Sequence, residues 1–255
     1  MRKRPEQRRA EIANAAAELA LVDGLDAVTL RSVAQRLAVT PALIAHYVAS
    51  MDELRADTVT RLMEAELTAM RAAADAAPTV LDGLRALLGA LFRTPRAASA
   101  AVWLDAWTQG LRVPVVAEAV RTQMDDWQEF VTGLLARGCA AGEFDTADPD
   151  AVAWQLIALA DGLNAHSLVS YRDPTAREAL LAEVLERSLG LPAGTLSAGA
   201  PQAGTDGGEP GSADQGVADQ GPAEPDPTDP KPAKSSTAAP KSADPDPADH
   251  SRSSP

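Results

Sequence analysis

The stretch VTPALIAHYVASMDEL, residues 39–54, decides how the front of this chain folds. It opens with Thr40-Pro41, and proline suits the first position of a helix because its missing N–H would have no partner there. The helix that follows is barely two turns long and closes on His46-Tyr47, where a packed helix would carry aliphatic side chains. A helix that short has little face to offer a core. The pattern therefore predicts that it contacts something outside its own domain.

The residues before this stretch predict two further helices. The first covers about residues 5–22 and ends at Gly24, and the second begins after Thr29, a favourable N-cap. Only Ala38 and Val39 separate the second helix from the third. Two short helices joined by so tight a turn are typical of a helix-turn-helix, the arrangement that places its second helix in the major groove of DNA.

The outward face of the third helix is the candidate DNA contact. Leu43 and Ile44 are expected to dock this helix on the first two. Small side chains would let its backbone approach a groove floor, and its N-terminus suits a phosphate or a base edge. The residues expected to face DNA are Thr40, Pro41, Ala42, Ala45, His46 and Tyr47. The alternative is that Tyr47 packs against the first helix and that His46 is only solvated.

The rest of the folded part is also helical in pattern, without a convincing period-two strand, and predicts an all-α protein of about nine helices. Ser50 is expected to cap a long fourth helix that reaches about residue 76. Asp148-Pro149 and Asp173-Pro174 are signals for the starts of two late helices. The remaining boundaries are expected near 79–93, 96–110, 114–141, 149–170 and 174–189.

The last quarter of the sequence differs from the rest in composition. Residues 191–255 hold 12 of the 19 prolines and no Phe, Trp or Tyr. This segment is expected to stay disordered, because it has too little apolar surface to offset the entropy of the chain. The net charge of −13 is also uneven, since residues 1–50 carry +2, residues 51–190 carry −9 and the tail carries −6. The positive segment begins with a basic arm that suits DNA phosphates. This arm is Arg2, Lys3 and Arg4.

Cysteine usage and hydropathy indicate the compartment. Cys139 is the only cysteine, so a disulfide framework within one chain is excluded and a reducing cytoplasm is indicated. The first residues lack the apolar region of a secretory signal, and no apolar run approaches the roughly 18 residues that would span a bilayer. We therefore expect no membrane partner.

Residues 6–54 resemble the TetR family of bacterial repressors. The family's pattern is an opening helix, a glycine, a Thr-capped second helix with Val-Ala, a short turn and a recognition helix that ends in aromatics. The matching residues are Gly24, Thr29, Val33, Ala34, Val39, Thr40, His46 and Tyr47. The wording IAHYV is most similar to the BetI-type branch, which contains the choline–betaine pathway repressor, and residues 96–189 are similar to that branch's ligand and dimerisation domain. Met51 and Val48 depart from the family, which often has a phosphate-contacting lysine and a closing aromatic there.

The resemblance implies a homodimeric repressor that binds a palindromic double-stranded operator and releases it when a small molecule enters its C-terminal part. The implied domains are residues 1–50 for DNA binding, 51–190 for effector binding and dimerisation, and the tail at 191–255. The second helix would add Thr29 and Arg31 to the DNA contacts. The expected dimer contacts are Leu156, Leu159, Leu163, His166, Leu180 and Val184.

The candidate effector contacts gather around the tryptophans. Trp103 and Trp107 are four residues apart and share one helix face, and Trp127 lies on the next long helix. Indole rings line apolar pockets and stack on cations such as quaternary ammonium groups. The candidate polar contacts are Gln123, Asp126 and Asn164. The alternative is that the tryptophans fill a core between alanine-rich helices.

Two other function classes remain to be set against a DNA-binding regulator. An enzyme is disfavoured, because the histidines at 46, 166 and 250 share no metal-ligand spacing and no glycine-rich phosphate loop is present. Neither a metal nor a cofactor is expected. A helical adapter that keeps the fold without binding DNA stays open. Met51 and the acidic body favour the adapter, whereas the polar set on the third helix and the basic arm oppose it.

Overall fold

The computed structural model describes residues 4–91 and 96–197, and within these ranges the regular elements are all helical. The helices are α1 (Pro5–Asp23), a 3₁₀ turn (Leu25–Ala27), α2 (Leu30–Arg36), α3 (Pro41–Tyr47), α4 (Met51–Asp75), α5 (Val80–Leu91), α6 (Arg96–Gly110), α7 (Pro114–Ala140), α8 (Pro149–Leu168) and α9 (Pro174–Ser188). The predicted all-α class is confirmed, and the predicted ends agree to about two residues where the structure describes them. None of the helices in these ranges combines the length and the apolar composition that crossing a bilayer requires.

Side-chain caps explain why the helices begin where they do. Thr29 Oγ1 accepts a hydrogen bond from the Ser32 N–H at 3.1 Å, and Thr40 Oγ1 accepts one from the Leu43 N–H at 3.3 Å. Each such bond satisfies an N–H that the helix leaves without a partner and stabilises it by about 1 kcal/mol. Three more helix starts, those of α4, α8 and α9, are capped in the same way by Ser50, Asp148 and Asp173.

The 3₁₀ turn between α1 and α2 was not predicted by the sequence pattern. Gly24 precedes it with φ +86° and ψ 166°, a backbone conformation that is open essentially to glycine alone. The turn places Leu25 and Val28 in the interior, both fully buried. The connection is therefore part of the core, and its shape depends on tertiary packing rather than on local propensity.

The front three helices pack around a compact apolar centre that continues into the body. Residues of α1, α2 and α3 that are fully or almost fully buried form this centre: Ile12, Ala16, Val33, Ala34 and Ile44. The long helix α4 packs against α1 on one side and against α5 and α7 on the other. One continuous apolar cluster thus runs from the front helices into the body. The division of function at residue 50 stays a prediction.

The C-terminal edge of the body corrects the predicted start of the tail. Leu196 is buried, and its N–H donates to the Glu186 carboxylate at 2.7 Å. The Arg85 guanidinium donates two hydrogen bonds to the Thr195 carbonyl, at 2.8 and 3.0 Å. Residues 191–197 therefore belong to the packed body. Buried Leu196 and the buried Glu186 carboxylate hold this segment in place, although its composition resembles that of the tail. The rest of the predicted tail lies outside the described residues.

Candidate DNA-reading surface and ligand groove

The inner face of α3 is anchored and its outer face is open. Ile44 is fully buried between the front helices, and Leu43 is half-buried beside it. The Thr40 side chain caps the first turn of the helix, where N–H groups have no partner within the helix. Five of the six residues predicted to face DNA on this helix are exposed: Thr40, Pro41, Ala42, Ala45 and His46.

Tyr47 differs from its neighbours on α3. It is half-buried, and its ring meets the His46 ring edge to face with centroids 5.1 Å apart. It also lines a hollow between α1 and α4 together with Arg9 and Arg61. Tyr47 thus makes packing contacts, as expected if it packs against the first helix instead of contacting DNA. His46 is exposed to solvent.

The other predicted DNA contacts lie around α3. Arg31 is exposed at the start of α2, while the Thr29 hydroxyl is engaged with Ser32 in the cap, with its oxygen 2.9 Å from Ser32 Oγ. Arg4 is exposed, and its N–H donates to the Gln7 side chain at 3.2 Å. The remaining members of the basic arm, Arg2 and Lys3, lie outside the described residues.

The turn between α2 and α3 contains a feature that the sequence does not signal. Ala38 has φ +52°, in the left-handed region where glycine is the usual residue. The next N–H, that of Val39, donates to the Ala34 carbonyl at 2.9 Å and closes the turn. An alanine is thus held in a conformation that it seldom adopts, because half-buried Leu37 and Val39 on either side pack against the core and fix the turn.

Two of the predicted tryptophans line a small cavity. Trp103 and Trp127 are both buried, at 8% and 6% exposed, and line a space of about 30 Å³ with Leu87 and Leu156. This volume holds one or two water molecules, whereas small-molecule pockets measure roughly 300–1,000 Å³. In this conformation the two tryptophans mainly fill the core, as the alternative stated.

A larger, open groove lies between α7 and α8. Its volume is about 580 Å³, and its walls carry three carboxylates, those of Asp125, Asp150 and Asp161. Trp107 and Trp154 also line it, and Trp154 is 70% exposed. Among the described residues, the groove wall contains no Lys, Arg or His, so acidic side chains and indole rings together favour a cation with apolar substituents.

The carboxylates of this groove were missed by the sequence reading. Asp125 and Asp150 have the appearance of a helix surface and a cap, and only the fold brings them together across two helices. Asp150 Oδ1 accepts hydrogen bonds from Gln128 Nε2 at 2.8 Å and from Thr132 Oγ1 at 3.0 Å. Both bonds lower the pKa of the Asp150 carboxyl below its usual value, and the bond from Gln128 has the larger effect.

The groove and the small cavity share a wall. Met124, Ile157 and Asp161 line both spaces. Met124 is 39% exposed on the groove side, and methionine is an adaptable side chain. Only a few side chains therefore separate the open groove from the cavity under the tryptophans.

The two predicted polar contacts on α7 and α8 are buried. Gln123 is 1% exposed, and its Nε2 donates to the Asp126 carboxylate at 3.2 Å while its Oε1 has no partner. Asn164 is 9% exposed and lies beside Trp103 and Trp107 in a very small hollow. Neither amide lines the open groove. A role in effector binding for either one stays a prediction that requires the interior to open.

The predicted dimer contacts divide between the two sides of α8. Leu156 and Leu163 are buried within the chain itself, at 2% and 5% exposed, which corrects their assignment to an interface. The physical reason is that α8 is apolar on both faces, so spacing alone does not show which face turns inward. The other four predicted contacts are exposed or half-buried: Leu159, His166, Leu180 and Val184.

The outward strip of α8 is built from small residues and one large aromatic. Ala151, Trp154, Ala158 and Gly162 follow one another at helical spacing and are exposed. A Cβ placed on Gly162 would meet nothing within 4 Å, so the space outside this strip is open.

Among the described residues, no group of three or more His, Cys, Asp or Glu side chains is arranged to hold a metal ion.

A comparison with family models gives the decisive match. Residues 80–190 match the model described as the C-terminal domain of the BetI-type transcriptional repressor. The similarity to the C-terminal domain of the BetI-type branch of the TetR family is thus shown for residues 80–190. The predicted resemblance to this branch is confirmed over these residues. No curated protein matched the chain.

Solved structures of transcriptional regulators have the same fold. A putative TetR-family regulator from Rhodococcus sp. is similar with a TM-score of 0.63 and 16% identity, covering 72% of this chain and 99% of that one. A putative transcriptional regulator from Saccharomonospora viridis, crystallised in complex with choline, has a TM-score of 0.65 and 21% identity, covering 72% and 98%. The fatty acid degradation regulator of Bacillus halodurans has a TM-score of 0.57 and 18% identity, covering 72% and 96%. At these identities the likeness shows the fold.

Proposed function

We propose that this chain is a DNA-binding transcriptional repressor. It would act as a homodimer on a palindromic operator and release that operator when a small-molecule effector binds. The observation that carries the proposal is the outer face of α3, which is exposed and free of large aliphatic side chains while Ile44 anchors the inner face. The small side chains of Ala42 and Ala45 allow the α3 backbone to approach a DNA groove closely. The helix dipole and the Thr40 hydroxyl at the N-terminus of α3 suit a DNA phosphate.

A second copy is proposed to pack against α8 and α9. Leu159 and His166 on α8, with Leu180 and half-buried Val184 on α9, offer the surface for this packing, and none of the four lines the groove between α7 and α8. A two-fold dimer would present two copies of α3 about one DNA turn, roughly 34 Å, apart. The same proposal puts the protein in the cytoplasm with the DNA that it binds.

The effector is proposed to be an organic cation with apolar substituents. The groove between α7 and α8 supplies three carboxylates and two indole rings. Cations of this class gain from both partners, from the carboxylates by charge and from the indole faces by cation–π attraction. The choline found in the Saccharomonospora viridis regulator belongs to the same chemical class.

A gel shift with the full chain and the DNA upstream of its own coding region tests the DNA-binding proposal, at one fixed salt concentration because phosphate contacts are salt-dependent. Replacing Thr40, His46 and Tyr47 together by Ala should weaken binding by at least about 100-fold, on the scale of several lost contacts. Thr122→Ala, an exposed threonine on α7, is the matched control and should bind as the native chain does. Unaltered binding by the triple variant would overturn the proposed reading surface, and native protein that shifts no DNA would favour the adapter.

Calorimetric titration tests the effector class. Choline chloride and its uncharged carbon isostere, 3,3-dimethylbutan-1-ol, differ in charge at nearly constant shape. The proposal expects heat of binding from the cation and little from the isostere. Equal binding of the two compounds, or binding of neither, would contradict a cation site in the groove.

A further inference from the structure

Helix α6 faces two different parts of the molecule. Trp103 and Trp107 line the cavity and the groove of the body. Asp105 lies between them in sequence, and successive helix residues are rotated by about 100°, so Asp105 points to nearly the opposite side. On that side α6 packs against α1 and the 3₁₀ turn. Helix α6 thus contacts the cavity and the groove on one side and the base of the helix-turn-helix on the other.

The contact with the turn is made through two polar side chains. Asp105 Oδ2 accepts a hydrogen bond from the Leu25 N–H at 2.8 Å. Gln109 Nε2 donates to the Asp26 carboxylate at 2.8 Å, and its buried Oε1 has no partner. A Cβ on Gly24 would lie 2.9 Å from Asp105 Oδ2, so the carboxylate occupies space that only glycine leaves open. The body therefore caps the first residue of a turn that belongs to the front helices.

This turn is joined firmly to α2. The Ser32 hydroxyl donates to the Ala27 carbonyl at 2.5 Å and is also paired with Thr29, the N-cap of α2. Val28 is fully buried between turn and helix. A displacement of the turn would consequently displace α2, and with it α3, as one hydrogen-bonded unit.

We propose that Asp105 is a positioning residue for the DNA-reading helices α2 and α3. Its bond to Leu25 would transmit movements of α6 at the cavity and the groove to these two helices. The inference rests on the proposed function for its DNA-binding consequence. Its structural part, the hold of Asp105 on the turn, does not depend on that function. A ligand that favours one position of α6 would thereby favour one orientation of α3, as differential binding to two states requires.

The hold on the turn is tested by hydrogen exchange in the full chain without ligand. Asp105→Ala should increase the exchange rate of the Leu25 amide and of the first turn of α2 by about ten-fold, the loss expected for a hydrogen bond to a carboxylate. Asp105→Asn keeps an oxygen acceptor and should restore most of the protection. Thr108→Ala is the control on the same helix, because the Thr108 hydroxyl bonds to its own helix at Leu104. Unchanged exchange in Asp105→Ala would overturn the inference.

The relay is tested by a double-mutant cycle on the same exchange rates. Trp103→Phe alters α6 on the cavity side while keeping an aromatic ring, so that folding survives. It should increase exchange in residues 25–36 in the native background and have little further effect when Asp105 is already Ala. Equal increases in the two backgrounds would show that the cavity side and the turn are independent, and would refute the relay.

The gel shift with the same upstream DNA separates this inference from the proposed function. With native protein bound, Asp105→Ala should weaken binding by about ten-fold, Asp105→Asn less, and Thr108→Ala not at all. Native binding that Asp105→Ala leaves unchanged would refute the positioning role alone. Native protein that binds no DNA would instead refute the proposed function, and the exchange rates would still decide whether Asp105 holds the turn.

Discussion

The outer face of α3 and the groove between α7 and α8 are both open surfaces, yet their chemistry differs. Helix α3 contains no Asp, Glu, Lys or Arg, whereas the groove carries three carboxylates on two neighbouring helices. The first surface suits recognition by shape, backbone and hydrogen bonding, with charge supplied by residues around it. The second suits recognition by charge and aromatic faces. The two surfaces should therefore respond to different substitutions.

The two regions also differ in how they are held. One fully buried side chain, Ile44, fixes α3 to the front helices, while the groove is formed by two long helices that pack along their length. Damage to one anchor should release α3 and leave the groove intact. Substitutions in each region test this difference.

Ile44→Ala should lower the free energy of unfolding by about 2–5 kcal/mol, the range for removing a buried isoleucine side chain. Urea unfolding measures the change, with Ile44→Val as a milder variant that should cost about 0.5–1.5 kcal/mol. We expect DNA binding to be lost in Ile44→Ala under conditions where choline still gives its heat of binding. Parallel loss of both activities would show that the two surfaces do not fold separately.

Asp125→Asn should weaken binding of choline chloride by about ten-fold, because a charge pair at a partly screened site contributes roughly 1–2 kcal/mol. Titration calorimetry at fixed ionic strength measures the affinity. Glu129→Gln serves as control, since Glu129 is exposed on the same helix and does not line the groove. An equal loss in both variants would indicate a general effect of net charge.

Ala38→Gly should stabilise the chain by about 1 kcal/mol, because glycine adopts the positive φ of this turn without the steric cost that alanine bears. For a domain of this size the midpoint of thermal unfolding should rise by about 2–4 °C. Ala45→Gly, on the exposed face of α3, is the opposite control and should destabilise the helix. A lower midpoint for Ala38→Gly would mean that the turn is not held in the left-handed conformation.

The smallest effect concerns pH. The folded-state pKa of Asp150 is lowered by hydrogen bonds from Gln128 and Thr132. A lowered pKa contributes stability that is present above the unfolded pKa and disappears as the pH falls through the folded value. Thermal midpoints measured from neutral pH down to about pH 3 should therefore fall less steeply in Thr132→Val than in the native chain. Identical slopes would show that the Asp150 pairs contribute nothing in solution.

The local elements were predictable because their signals are local. Thr29, Thr40 and Ser50 cap helices through their own side chains, so sequence alone marks these starts. Gly24 likewise marks the end of α1. The burial of Ile44 follows from the same local pattern, since Leu43 and Ile44 are the large aliphatic residues of α3.

The features that escaped prediction depend on residues distant in sequence. Asp105 accepts a hydrogen bond from Leu25, which is 80 positions away in the sequence. Asp125 and Asp150 line one groove only because α7 and α8 run side by side. Leu156 and Leu163 face inward for a reason of the same kind, the choice of one apolar face over another. Spacing along the chain carries no information about such choices, and a fold is needed to make them.

Site-specific cross-linking from α3 to DNA tests the central claim most directly. Ala42→Cys, in a Cys139→Ser background that removes the chain's single native cysteine, carries a photoactivatable aryl azide on the outer face of the helix. We expect cross-links to the upstream DNA at two positions about 10 base pairs apart, one from each copy of α3. The same label at Thr122→Cys should give none. Efficient cross-linking from residue 122 with none from residue 42 would contradict the account.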